Sequence, residues 1–261
     1  YFGGDPLMNM DIPGMILAVG AREGGGESFM GLIDDLQIYK KALNAGQIEF
    51  LRDNPGEEIQ PTIGPVVHLR FEENLLDETF RHDAMTANPE AQTEFESGVG
   101  EGQAYRISSR DTSLELSDPD GVQFGNDFTI SMWVKNDPIA EGVTKDWNLI
   151  SKRFETGIAE PTKFWQFFID GANPARRGPF WWNTGAAEGN TFGTNFETTD
   201  GIVIQDSEWH QFAVAYKKGA PEGEARVTLY VDGVGKTNQD EGHYFGGDPL
   251  MNMDIPGMIL A

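Results

Sequence analysis

The sequence predicts an all-β protein, a sandwich of two antiparallel sheets. Three observations point there. Apolar residues recur at alternate positions in many short runs, which is the strand period. Turn formers punctuate those runs, with 32 Gly and 14 Pro in 261 residues. No alternation of strands with long helical segments appears, so a parallel α/β sheet is excluded. A chain of this length with 39% hydrophobic residues can fill one large sandwich core.

The elements follow in order. GMILAVGA (14–21) reads as a buried strand and REGGGES (22–28) as a loop. In FMGLIDDLQIYK, period two places Leu32, Asp34, Leu36 and Ile38 on one inward face. NAGQIEFL (44–51) carries an Asn start and a short apolar pattern, which predicts one brief helix. DNPGEEIQPTIGP (53–65) holds three Pro and two Gly and reads as a semi-rigid linker. VVHLRF (66–71) opens a new run of strands, and AYRI and SLEL follow. DFTISMWVK alternates cleanly, with Phe128, Ile130, Met132 and Val134 facing one way. NLISK, FWQFFID and GPFWWN are further strands. EWHQFAVAYK sets Phe212, Val214 and Tyr216 on one side. RVTLYVDG sets Val227, Leu229 and Val231 inside and ends in Asp-Gly, a hairpin signal.

One stretch occurs twice. YFGGDPLMNMDIPGMILA stands at residues 1–18 and again at 244–261, so the second copy begins 243 residues after the first. Self-similarity at a fixed period marks repeat architectures, and the chain reads as one period of a tandem array. An engineered permutant or duplication gives the same pattern. The expected organisation is the C-terminal part of one repeat at 1–53, a Pro-rich linker at 54–65, and the N-terminal and central part of the next repeat at 66–261. Residues 19–53 then either fold back onto the body of their own chain or complete a neighbouring repeat. The linker reaches at most roughly 45 Å, which allows both. Because two copies of one strand would compete for one position, head-to-tail pairing of residues 14–39 with a neighbour is expected.

The formal net charge is −23, from 42 acidic and 19 basic residues. Such a chain repels nucleic acid and anionic membranes, so neither is expected as a partner. It suits solubility in salt or an exterior rich in divalent cations. With no Cys, disulfides and thiolate metal sites are excluded. No apolar run approaches the length of a membrane span.

Taken circularly, from residue 66 to 261 and then 19 to 53, the segments resemble the laminin-G-like, concanavalin A-like jelly-roll family. VVHLRFEEN with DETFRHDA is similar to its first strand and loop, and DFTISMWVK to its central strand. SEWHQFAVAYK and VTLYVDGVGK are similar to its late strands, and GLIDDLQIYKKALNAGQI to its last strand and closing helical turn. The resemblance implies a jelly-roll sandwich of two antiparallel sheets. It implies nothing specific about function, since one fold hosts many.

An inward carboxylate at Asp34 is costly unless it is paired or metal-bound. Relatives of this fold hold calcium near the last strand. The resemblance therefore suggests a structural Ca²⁺ held by Asp34 with Glu72 and the segment around Asp83, an all-oxygen set that suits this cation. A bulge turning Asp34 outward, or a hydrogen-bonded buried Asp, is the alternative. Aromatics cluster at Phe164, Trp165, Phe167, Phe168, Phe180, Trp181 and Trp182. Adjacent residues on a strand face opposite ways, so one of Trp181 and Trp182 lies outside, and Trp165, Trp181 and Trp182 are candidates for stacking on glycans. The alternative is packing in the core or on a neighbouring repeat. Trp133 and Trp209 read as structural. His68, His82, His210 and His243 show no ligand or catalytic spacing and read as ordinary residues.

Relatives that hydrolyse polysaccharides need paired carboxylates on one strand. Glu115 and Asp118 are out of step for that and run into Pro119, so no enzyme activity is expected. The expected function is a structural or adhesive tandem-repeat module of an extracellular or cell-surface protein, with neighbouring repeats as partners. The alternative is a carbohydrate-binding module of a secreted multidomain protein.

Overall fold

Two antiparallel sheets share one core within this single chain. The structure is a computed structural model, and it describes residues 15–21, 28–59, 64–109, 111–117, 122, 127–138, 147–154, 164–169, 179–184, 191–195, 206–217, 227–237 and 244–245. The chain runs β1 (Met15–Val19), β2 (Gly31–Tyr39), α1 (Ala45–Asp53), β3 (Val67–Leu69), β4 (Ala84–Thr86), β5 (Phe95–Ser97), β6 (Gln103–Ile107) and β7 (Leu114–Leu116). It continues with β8 (Phe128–Asn136), β9 (Trp147–Phe154), β10 (Phe164–Ile169), β11 (Pro179–Thr184), β12 (Thr191–Asn195), β13 (His210–Tyr216), β14 (Val227–Val231), β15 (Val234–Thr237) and β16 (Tyr244–Phe245).

One sheet has the order β16-β12-β11-β10-β9-β1-β7-β4. The other has the order β15-β14-β13-β8-β2-β6-β5, with β3 also paired to β2. The alternation in the sequence places the core. Phe128, Ile130, Met132 and Val134 face Leu17, Val19, Leu149, Phe167 and Ile169 of the other sheet within one buried cluster. Phe128 stacks on Tyr216, with centroids 5.3 Å apart. The Asp-Gly signal forms the β14–β15 hairpin, with φ of 49° at Asp232 and 79° at Gly233, values that suit a primed turn.

Helix α1 covers the outer face of the second sheet. Asn44 caps it with a reciprocal pair: its side chain accepts the Gln47 N–H, and the Gln47 side chain accepts the Asn44 N–H. Ile48 and Leu51 then seat on Tyr39, Leu43, Ala213, Ala215 and Tyr230. The two alanines leave room for the helix.

Three expectations are corrected. The strands at 15–19 and 31–39, expected to pair with a neighbour, pair within their own chain. β1 lies between β7 and β9, and β2 lies against β8, all in the same chain. The division into 1–53 and 66–261 as parts of two sandwiches gives way to one sandwich, because β1 and β2 bury Leu17, Val19, Ile33, Leu36 and Ile38 in the core built by the later strands. The Pro-rich linker is a packed segment over 54–59, with Ile59 buried beneath α1 and Tyr39. Residues 60–63 and the second copy beyond Phe245 lie outside the described residues.

The loop between β3 and β4 is organised by one carboxylate. Asp77 is fully buried and accepts the N–H groups of His68 (2.7 Å), Thr79 (3.1 Å), His82 (3.0 Å) and Arg81 (3.2 Å), plus the Thr79 hydroxyl (2.5 Å). Burial alone would raise its pKa. The Thr79 hydroxyl and the backbone donors outweigh that and hold it below the usual carboxylate range. Its contribution to stability is therefore present above the unfolded-state pKa and is lost as pH falls through the folded value. Asp77→Ala, which orphans several buried donors, should lower unfolding stability by about 3 kcal/mol or more at pH 7. In urea melts the gap between parent and variant should narrow below about pH 4; a gap that is constant with pH would contradict this account.

Candidate functional site

The site begins at an irregularity in β2. Along its pairing with β8, Asp34 stands opposite Trp133 and Gln37 opposite Ser131, so three steps on β2 match two on β8. This is a β-bulge, and Asp35 takes a φ of 45° within it. The bulge shifts the period. Ile33, Leu36 and Ile38 face the core, and Leu32 and Asp34 do not. The inward placement expected for Leu32 and Asp34 is thereby corrected: strict alternation fails at the one extra residue. Asp34 lies on the outer face, yet only 4% exposed, because the loop after β5 wraps over it.

That loop, residues 98–102, is shaped by two carboxylates. Asp34 Oδ2 accepts the Val99 N–H at 2.9 Å, and Asp34 Oδ1 accepts the Asp35 N–H at 2.7 Å. Glu72 Oε2 accepts the Gln103 N–H at 3.1 Å. A Cβ at Gly98 would collide with Asp34 Oδ2, and one at Gly102 with Glu72 Oε1. The glycines thus let the loop close directly on the two carboxylates. Between them opens a cavity of about 360 Å³, lined by Asp34, Asp35, Pro55, Gly56, Arg70, Glu72 and residues 99–102.

Electrostatics mark the cavity. Burial raises the Asp34 pKa to about 7; the Val99 N–H opposes the shift, and the Asp35 and Glu72 charges add to it. An ionised Asp34 is therefore under-compensated by protein groups alone. The nearest cation to Glu72 is Arg70, 3.9 Å away and half exposed. The lining offers carboxylate oxygens, chiefly of Asp34 and Glu72, and the backbone of the enclosing loop, with the Arg70 guanidinium on one side. Such a set fits a hard cation such as Ca²⁺. Among the described residues no group of three or more Asp, Glu or His side chains could hold a metal, so backbone carbonyls and water would complete any shell.

The structure thus brings Asp34 and Glu72 together. Asp83 is not with them. Its side chain accepts the Asp77 N–H at 2.9 Å and its carbonyl accepts the Ser117 N–H at 2.8 Å, so it ties the Asp77 loop to β7 instead. Trp165, Trp181 and Trp182 lie on paired strands, with Trp165 opposite Asn183, Trp181 opposite Phe167 and Trp182 opposite Gln166. Their side chains lie outside the described residues.

Sequence reasoning missed a second set beside the cavity. His68, on β3, is 2% exposed and holds two carboxylates: Nε2 meets Asp35 Oδ1 at 2.8 Å and Nδ1 meets Glu58 Oε1 at 2.9 Å. Burial would drive its proton off, but the Asp35 hydrogen bond and charge, then those of Glu58, raise its pKa above the ordinary value. His210 is bracketed in the same way by Asp232 (2.7 Å) and Asp206 (3.1 Å) at the start of β13. The sequence carries no distinct signal for the His68 set: His68 sits between the core residues Val67 and Leu69 and so faces away from the core, and its Asp35 and Glu58 partners come from distant segments.

A sandwich of two antiparallel sheets in this jelly-roll-type arrangement defines a class, and a family model places the chain in it. The family model described as the concanavalin A-like lectin/glucanases superfamily (Laminin_G_3) matches residues 108–249. The chain belongs to that family. No curated protein and no solved structure matches it.

Asp34 yields a test. Its raised pKa means that, without a cation, stability falls as pH rises from about 4 to 7, because the folded state holds a proton that the unfolded chain has released. Asp34→Asn should flatten that interval in thermal melts recorded in chelator. Millimolar calcium should raise the melting temperature of the parent at pH 7 and leave the Asn variant unmoved. A parent melt indifferent to both chelator and calcium would remove the cation reading.

Proposed function

We propose that this chain is a non-enzymatic structural or adhesive module, one period of a tandem array carried outside the cell, with a structural calcium ion at the Asp34–Glu72 cavity. The observation that carries the array is the 18-residue identity at an interval of 243 residues. Family membership supports a lectin- or adhesion-type module at the superfamily level. The closed sandwich from β1 to β16 supports the array in a simple form. The described strands between residues 15 and 245 pair into one sandwich. The twelve residues that follow, GGDPLMNMDIPG, are those that precede β1. Each period would then be one closed sandwich, and this stretch would stand between the last strand of one and the first strand of the next. It spans at most roughly 40 Å. Neighbouring units are thus tethered partners, and their surfaces carry the strong acidity that calcium would offset.

A second reading, a carbohydrate-binding module, is favoured by the aromatic density of β10 and β11. It differs in its test: Trp165→Ala, Trp181→Ala or Trp182→Ala would abolish retention on a glycan array and leave melting unchanged.

Two outcomes check the main reading. The coding sequence on either side should continue the 243-residue period; a single copy flanked by unrelated sequence would end the array. Soluble polysaccharides incubated with the protein should release no reducing ends. Release abolished by one Asp or Glu substitution would overturn the non-enzymatic assignment.

A further inference from the structure

We infer that Glu58, His68 and Asp35 are positioning residues for the cation cavity, acting by fastening the segment that supplies its Pro55–Gly56 wall. The inference rests on the calcium reading of that cavity and adds the residues that set its shape.

The wall is a single turn, closed by the Glu57 N–H on the Asn54 carbonyl at 3.1 Å, and that turn alone does not fix it against the sheet. Residues 54–59 follow the end of α1 and form no helix or strand. What holds them is a chain of bonds to β2 and β3. The Gly56 N–H donates to Asp35 Oδ2 at 2.9 Å. Gln37 Nε2 donates to the Glu57 carbonyl at 3.0 Å and to Asp35 Oδ1 at 2.8 Å. Glu58 meets His68, and the Ile59 N–H donates to the Tyr39 hydroxyl at 3.3 Å. His68 is the joint of this network: one buried ring engages a carboxylate of β2 and a carboxylate of the segment through its two nitrogens.

The network reaches the proposed ligands from two directions. Pro55 and Gly56 line the cavity opposite the 99–102 loop. A Cβ at Gly56 would lie 3.1 Å from the Arg70 guanidinium, at a φ of 80°, so the wall closes tightly on the rim. Asp35 also adjoins Asp34 in the bulge, and its N–H holds Asp34 Oδ1. Releasing Asp35 from His68 loosens both the wall and the carboxylate. Partners that orient ligands in this way typically alter metal affinity 10–100-fold.

The test uses the full chain and calcium alone, titrated calorimetrically at pH 7.5. His68→Gln and Glu58→Gln should each weaken calcium binding about tenfold or more, and amide exchange across 54–59 should quicken in both. Glu58 is partly exposed, so its variant keeps the test available should His68→Gln fail to fold. Calcium affinity within twofold of the parent in folded variants, whatever their melting temperatures, would show a purely structural tie and overturn the inference. A flat titration of the parent itself would instead overturn the calcium reading, and with it this inference.

Discussion

The bulge at Asp34–Asp35 is the constraint on which the remainder of the site depends. Among the described residues, β2 alone pairs with three other strands. It meets β8 along its length, β6 through residues 31–33, and β3 through residues 36–38. The bulge falls where the partner changes from β6 to β3. A regular strand there would send one of the two aspartates into an apolar core, at a cost of several kcal/mol. The extra residue sends both outward, into the gap that β6 and β3 leave between them. Cavity and His68 network occupy that gap, so a single backbone irregularity creates a place for charge in a sheet that is otherwise closed.

The two aspartates are then treated in opposite ways. Asp35 is enclosed by donors: Gly56 N–H, Gln37 and His68. Asp34 receives two N–H groups and, among the described residues, no cationic side chain, and burial holds its proton to near neutrality. Neighbours in sequence, one is satisfied by the protein and the other is left for something to complete. In a chain with a net charge of −23, the divalent ion proposed above would neutralise Asp34 and Glu72 together and relieve their mutual repulsion.

Much of the architecture was legible because the apolar period is clean in β8, β13 and β14, where Phe128, Ile130, Met132, Phe212, Val214 and Leu229 all reach the core as alternation requires. The capped helix was legible because Asn44 and Gln47 carry a local chemical signature. Asp34 was singled out correctly as an unusual carboxylate and placed on the wrong face, since a bulge leaves no trace in residue types. Glu72 lies with Asp34 at the cavity, the neighbourhood the resemblance suggests, whereas the sequence does not separate Asp83 from Asp77, because which acid of a loop turns inward is decided by tertiary hydrogen bonds. The Pro-rich stretch misled for a related reason. Composition reports backbone stiffness, but the anchoring of residues 54–59 depends on His68 and Asp35, which lie far off in sequence.

The closure of the sandwich also changes what the duplicated stretch means. Had β1 and β2 belonged to a neighbour, every unit would expose an apolar slot until the next one filled it, an aggregation hazard for any truncated or nascent chain. β1 is seated between β7 and β9 of its own chain, and β16 ends the same sheet at its far edge, so among the described residues no strand of the sandwich is left for a neighbour to supply. The residues that follow β16 in one copy are those that lead into β1 in the other. In the proposed array, units joined through this stretch could be added or lost without unfolding their neighbours. Lengthening such a chain then costs little more than closing one further short connection, which is the physical condition under which near-identical modules can be strung together.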